Sequence, residues 1–262
     1  MDKLNRFLAK NPWFSYMFTG IMLALIWFCY FLGGLDLTFI IILSIGIIII
    51  YPILPIGSAN KLMMSAIRKL DTECDPYPLL LETEDQLTYV KNAGRRQLCM
   101  INHITATHNI GKSCEAYERL CAINIDLIPG TTFETKAIYY LNMSSFSLDV
   151  GKLEESVSYH AKASQIAGVI KNKKFKESLF SSLRAVAAEQ AIYRKNFDDA
   201  LALLSSVEVK SKKQAVDKTF LYSKIALGQG DKDNARASLL FVINNGNKLG
   251  CVNEARALLE ML

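Results

Sequence analysis

Cys99 and His103 stand four residues apart, and His108, Cys114 and Cys121 follow soon after. A Cys/His pair at that spacing puts two metal ligands on one face of a helix, half of a tetrahedral site. No second pair with ligand spacing accompanies it. Both residues fall within an apolar pattern, so they are expected to pack, as cysteine most often does. The acid pairs Glu154–Glu155 and Asp198–Asp199 are the other groups that could do chemistry. Each opens a helical pattern, where the positive end of the helix dipole favours a carboxylate. The sequence has no Gly-x-Ser-x-Gly, no His-Glu-x-x-His and no glycine-rich phosphate loop. The reading is therefore not an enzyme: no catalytic residue, no cofactor and no metal are expected. A triad assembled from distant positions, hidden between helices, stays as an alternative.

Two basic runs remain. Lys171, Lys173, Lys174 and Lys176 form the first, and Lys210, Lys212 and Lys213 the second. Both fall between predicted helices, so they are read as solvated turns. An edge for anionic lipid or RNA is the alternative. Residues 58–262 hold 27 Lys/Arg against 23 Asp/Glu, too small a surplus to imply nucleic acid.

The elements that position these residues divide the chain in two. Residues 13–56 carry one charged side chain, Asp36. Trp13–Leu32 and Leu37–Ile56 are each 20 residues, long enough as helices to cross a bilayer. The second holds fourteen Leu, Ile or Phe residues. "GGLD" between them suits a tight turn. The expectation is a two-span hairpin over residues 1–57. Lys3, Arg6 and Lys10 precede it and Lys61, Arg68 and Lys69 follow it, while the turn has no positive charge. The positive-inside rule then puts both termini in the cytoplasm. Trp13, Tyr16 and Tyr51 would anchor the interfaces. Pro52 and Pro55 are expected to kink or end the second span. Residues 58–75 would connect to a cytoplasmic domain over 76–262, and Asp75 before Pro76 reads as an N-cap. Six cysteines without a Cys-x-x-Cys pair fit a reducing compartment.

Beyond Pro76 apolar residues recur at three and four spacings, so the domain is expected to be all-α. One phrase recurs within it: an apolar helix, a tight turn, then a second helix. The turns fall near Gly111, Gly151, Lys195 and Gly230, at spacings of 40, 44 and 35. Small residues sit at matching places: Ser144, Ser156 and Ala163, then Ala188 and Ala200, then Ser223 and Ala235. Close helix crossings need such residues. This pattern resembles the tetratricopeptide repeat over about residues 97–245. Two spacings exceed that family's 34 residues, and no proline closes a repeat. The resemblance implies an α-solenoid of about four hairpins with Leu249–Leu262 as a capping helix. It also implies a concave groove lined by the first helices, with His108, Asn109, Ser145, Asp149, Glu189, Tyr193 and Lys224 as the partner-binding residues. A membrane-anchored interaction protein or scaffold, binding a protein or peptide segment, is the function expected. A peptide-sensing regulator at the membrane is the runner-up.

Overall fold

The computed structural model describes residues 2–34 and 36–262, without the side chains of Asp2, Ile50, Tyr51 and Pro52. The expected anchor Tyr51, the ring of Pro52 and Leu35 of the first turn therefore lie outside the described structure. Among the described residues the chain is all-α. Contacts divide it into two compact units, Met1–Ala66 and Ile67–Leu262.

The first unit holds α1 (Asp2–Lys10), α2 (Pro12–Phe31) and most of α3 (Leu37–Glu73). A proline in its first turn suits the start of α2, where an N–H has no partner to lose. Gly33, at φ +75°, ends it: its N–H donates to the Tyr30 carbonyl, and that of Gly34 to Cys29. The Asp36 carboxylate then accepts from the N–H groups of Thr38 and Phe39 and opens α3. Ile26, Ile40 and Ile47 are buried together with Met22, Leu23 and Tyr30 beside them. Many other apolar side chains of α2 and α3 point outward, among them Phe28, Phe31, Ile42 and Ile49. By length and composition α2 and α3 can each cross a membrane. Of the kink or end expected at Pro52 and Pro55, the end does not occur: α3 runs through both, and the connecting residues 58–73 continue the same helix. Each proline removes one N–H from the ladder, and the helix continues past both.

The second unit takes the end of α3 and ten further α-helices among the described residues: α4 (Tyr77–Tyr89), α5 (Ala93–Asn109), α6 (Ser113–Cys121), α7 (Phe133–Asp149), α8 (Leu153–Val169), α9 (Lys173–Tyr193), α10 (Phe197–Ser205), α11 (Lys212–Gln229), α12 (Lys232–Asn245) and α13 (Cys251–Glu260). The α4 boundary differs slightly from expectation. Pro76 is its cap residue, and Asp75 accepts the Tyr77 N–H from outside. Each odd-numbered helix from α5 to α11 starts at a capping side chain. Asn92, Thr132, Asn172 and Ser211 accept the N–H of the third residue along. Such caps satisfy donors that the first helical turn leaves unpaired.

The four turns share one construction. Gly111, Gly151, Lys195 and Gly230 all have left-handed φ, between +59° and +91°. At each, the residue's own N–H reaches back three positions, and the next N–H reaches back five. This is the Schellman stop. Consecutive helices pack on each other, and alternate helices α5, α7, α9, α11 and α13 also touch in sequence. Small residues line the crossings. Ser144, Ser156, Ala163, Ala188, Ala200, Ser223 and Ala235 have no exposed surface. The Ser144 hydroxyl donates to the Ser156 carbonyl at 2.7 Å, and the Gln190 amide donates to the Ser156 hydroxyl at 2.8 Å, tying α7, α8 and α9. The long repeat spacings have local causes. A connection containing a short 3-10 turn, Ile125–Leu127, separates α6 from α7, and α9 extends to 21 residues.

The connection from α12 to α13 returns to the start of the unit. The Gly250 N–H donates to the Asn109 carbonyl at 2.7 Å. The Asn247 amide donates to the Glu73 carbonyl, and the Lys248 amine meets Asp75 at 2.7 Å. Gly250 lies so near Gly111 that a Cβ on it would be 2.3 Å from the Gly111 Cα. The sequence reading gave the last helix the role of a cap on one end of the stack, whereas the connection leading into it also bonds the start of the domain. Two glycines facing each other permit that backbone contact.

A candidate binding cavity

One face of each odd-numbered helix from α5 to α13 turns toward a common space. On α7 that face carries Asn142, Ser145, Phe146 and Asp149, and on α11 it carries Asp217, Phe220, Leu221 and Lys224. Steps of three and four keep side chains on one helical face. With Thr105, His108 and Asn109 from α5, Glu189 from α9 and Glu254 from α13, they enclose a cavity of about 590 Å³. Sites for small ligands fall in this size range.

Six of the seven residues read from the sequence meet here: His108, Asn109, Ser145, Asp149, Glu189 and Lys224. Tyr193 does not. It lies one turn beyond Glu189, is 51% exposed, and its hydroxyl donates to the Gly151 carbonyl at 3.2 Å. That bond fixes the α9 end to the α7–α8 turn.

The polar groups are arranged in pairs of unequal quality. His108 Nε2 meets Asp149 Oδ2 at 2.5 Å, and the imidazole stacks on Phe146 with centroids 4.0 Å apart. Lys224 Nζ lies 3.2 Å from Glu254 and 3.9 Å from Glu189, and 4.6 Å above the Phe220 ring. Burial and the negative charge of Asp149 push the Glu189 carboxyl up to about 7. Burial opposes the charge on Lys224, but Glu189 and Glu254 outweigh it and hold the amine above its usual value. Lys213 meets Asp217 at 2.6 Å, and Lys218 donates to the Val207 carbonyl at 2.9 Å. His108 has no hydrogen bond to a hydroxyl or thiol among the described residues.

Sequence reasoning missed Lys213, Asp217, Asn142 and Glu254. Asp217 and Lys213 were within reach, because stepping back along α11 from Lys224 by seven and then four lands on them. Glu254 had no such signal, since it arrives only through the return of α13. Lys213 also leaves the expected basic edge. Its side chain is 20% exposed and lines the cavity. Lys171, Lys173, Lys174 and Lys212 are exposed, Lys176 donates to the Gly168 carbonyl, and Lys210 pairs with Glu208.

Cys99 and His103 lie elsewhere, between α5 and α4. Cys99 is buried, with its thiol against the Thr83 carbonyl and Gln86, and burial raises it to about 11. His103 Nδ1 lies 3.1 Å from the Thr83 hydroxyl, and burial lowers its pKa. Among the described residues no three His, Cys, Asp or Glu side chains could hold a metal ion. No family model, curated protein or solved structure matches this chain.

Proposed function

We propose that the chain is a membrane-anchored helical-repeat protein whose cavity binds a segment of a protein or a short peptide. The reading takes α2 and α3 as a two-span hairpin with both termini cytoplasmic. Two apolar helices with outward-facing side chains support it, as do the basic flanks and the uncharged-to-acidic turn. It takes the second unit as a tetratricopeptide-like α-solenoid. The fourfold Schellman turn, the small residues at the crossings and the contacts between alternate helices support that. One observation carries the binding role: six residues placed on first helices from sequence alone line a single cavity. Crosslinking and pull-down from native membranes tests it, comparing the natural chain with one changed at Asp149, Glu189 and Lys224. Loss of specific partners is expected, and recovery of the same partners by both would sink the binding role. A cysteine placed at Gly34 is expected to react with an impermeant thiol reagent from outside the cell and not from the cytoplasm.

A second reading, a peptide sensor, has an observation of its own. The last turns of α3 belong to the same compact unit as the cavity, and the α12–α13 connection holds the carbonyls of Glu73 and Cys74. Asp71, half-buried on α3, has its pKa raised by burial while Lys213 of the cavity draws it down. A ligand that alters the cavity would thereby reach α3. Hydrogen exchange over Ile67–Glu73 should slow on binding if the sensor reading holds, and stay constant if the domain only captures.

A further inference from the structure

We propose that the cavity takes a ligand bearing a cationic group, a primary amine or a guanidinium, seated among Asp149, Glu189 and Glu254. This rests on reading the cavity as a binding site and adds the chemistry of what enters it.

Glu254 and Glu189, from two helices, lie 3.2 and 3.9 Å from the Lys224 amine, and Asp149 from a third helix lines the same cavity. The other lysines on the wall are already committed, Lys213 to Asp217 and Lys218 to the Val207 carbonyl. His108 meets Asp149 through Nε2 and makes no bond to Glu189. Glu189 is the member without a protein donor. It is 20% exposed, accepts no hydrogen bond among the described residues, and its nearest cation is 3.9 Å away, beyond hydrogen-bond reach. An acid partly withdrawn from water and given no protein donor is costly, and a cation brought to it recovers part of that cost. The empty space in front of it is large enough to hold one. Phe146, Leu141 and Val186 add apolar wall against which the stem of a lysine or arginine side chain would lie. An anionic ligand would meet the carboxylate surplus instead.

The charges facing Glu189 also predict how binding responds to pH. They are Asp149 from α7, Lys224 and Asp217 from α11, and Glu254 from α13. Glu189 holds its proton up to about pH 7, and an arriving cation would expel it. Affinity should therefore rise with pH through that range and level off above it, with a proton released per ligand bound below it.

The test is calorimetry on the full chain in detergent micelles, with four probes: Ala-Arg-Ala, its N-acetyl amide, free-amine Ala-Ala-Ala-amide and N-acetyl-Ala-Ala-Ala-amide. Binding of Ala-Arg-Ala at millimolar concentration or below is expected. Retention of binding by the acetylated arginine peptide assigns the cation to a side chain, and binding of free-amine Ala-Ala-Ala-amide assigns it to an N-terminus. Glu189→Gln should weaken binding roughly 30-fold and abolish the proton release. The half-exposed Glu254→Gln, a safer variant for folding, should weaken it several-fold. Equal binding of the acetylated alanine peptide would overturn the cation requirement and leave the peptide reading standing. Unchanged affinity in both variants, or no binding by any cationic probe, would also overturn it, and the membrane pull-down then judges the cavity by itself.

Discussion

The helix crossings and the cavity are built from the same helices and treat polar groups in opposite ways. At the crossing of α7, α8 and α9, Ser144, Ser156 and Gln190 are fully or nearly buried, and each bonds another. Further round, on the inner face of α9, Glu189 accepts no hydrogen bond among the described residues, while Asp149 on α7 has only His108. A crossing satisfied internally gains stability and can bind nothing more. A wall left unsatisfied costs stability and is ready for a partner. The difference separates residues that hold the domain together from residues available for function.

The sharpest test of the crossing is Ser156→Leu. Leucine would force α7 and α8 apart and leave the Gln190 amide with only its 3.4 Å contact to the Ser144 hydroxyl. Overpacking and the loss of a buried hydrogen bond together should cost about 3–5 kcal/mol. Urea unfolding followed by helical circular dichroism checks this, and a loss below about 1 kcal/mol would mean that the crossing is not close-packed. Gly250→Ala tests where crossing and cavity meet. Its Cβ would enter the Gly111 backbone, so the closing connection must move. A cost of about 2–3 kcal/mol is expected, with faster hydrogen exchange at the Gly250 N–H.

At the cavity wall the sign reverses. Glu189 has a folded pKa of about 7, raised above its usual value of 4.5. Below pH 4.5 the acid is protonated in both states and no penalty arises. Between these values the unfolded chain ionises first, so the fold loses stability as pH rises. Above about 7 the penalty is fully present. Glu189→Gln should therefore stabilise the full chain by about 2 kcal/mol at pH 8 and by almost nothing at pH 4. Thermal melting at the two pH values checks it. A variant less stable than the natural chain at pH 8 would place Glu189 with the structural groups.

The same division explains what the sequence revealed. Repeats, turns and small crossing residues are local or periodic, so spacing exposed them. The first-helix faces followed from helical register, which is why six cavity residues could be named. Tyr193 was misplaced because register alone cannot tell where a helix leaves the wall. The return of the α12–α13 connection, and with it Glu254, depends on backbone contact between residues far apart in sequence. Only Gly111 and Gly250 mark it, and a glycine does not say what it touches. The capping side chains at Asn92, Thr132, Asn172 and Ser211 were legible and overlooked. Each precedes its helix in the usual capping position. The prolines left a kink or an end of the second span open, and composition alone does not choose between them.

The smallest expected effect lies at the α9–α10 turn. Three of the four matching turns use glycine where the backbone must be left-handed, and this one uses Lys195 at φ +59°. Its hydrogen bonds are the same as theirs: Lys195 N–H to Ile192 and Asn196 N–H to Ala191. A side chain in that region crowds its own carbonyl, at about 1–2 kcal/mol. Lys195→Gly removes the crowding but gives the unfolded chain more freedom, which returns about 0.4–1 kcal/mol. The net gain should be about 0.5–1 kcal/mol. The reverse change, Gly151→Lys, should lose a similar amount, because the backbone and hydrogen bonds match. Opposite shifts of similar size in urea midpoint would show that the four turns are energetically equivalent. A loss from Lys195→Gly would show that the lysine does something in this turn that glycine does not do in the other three.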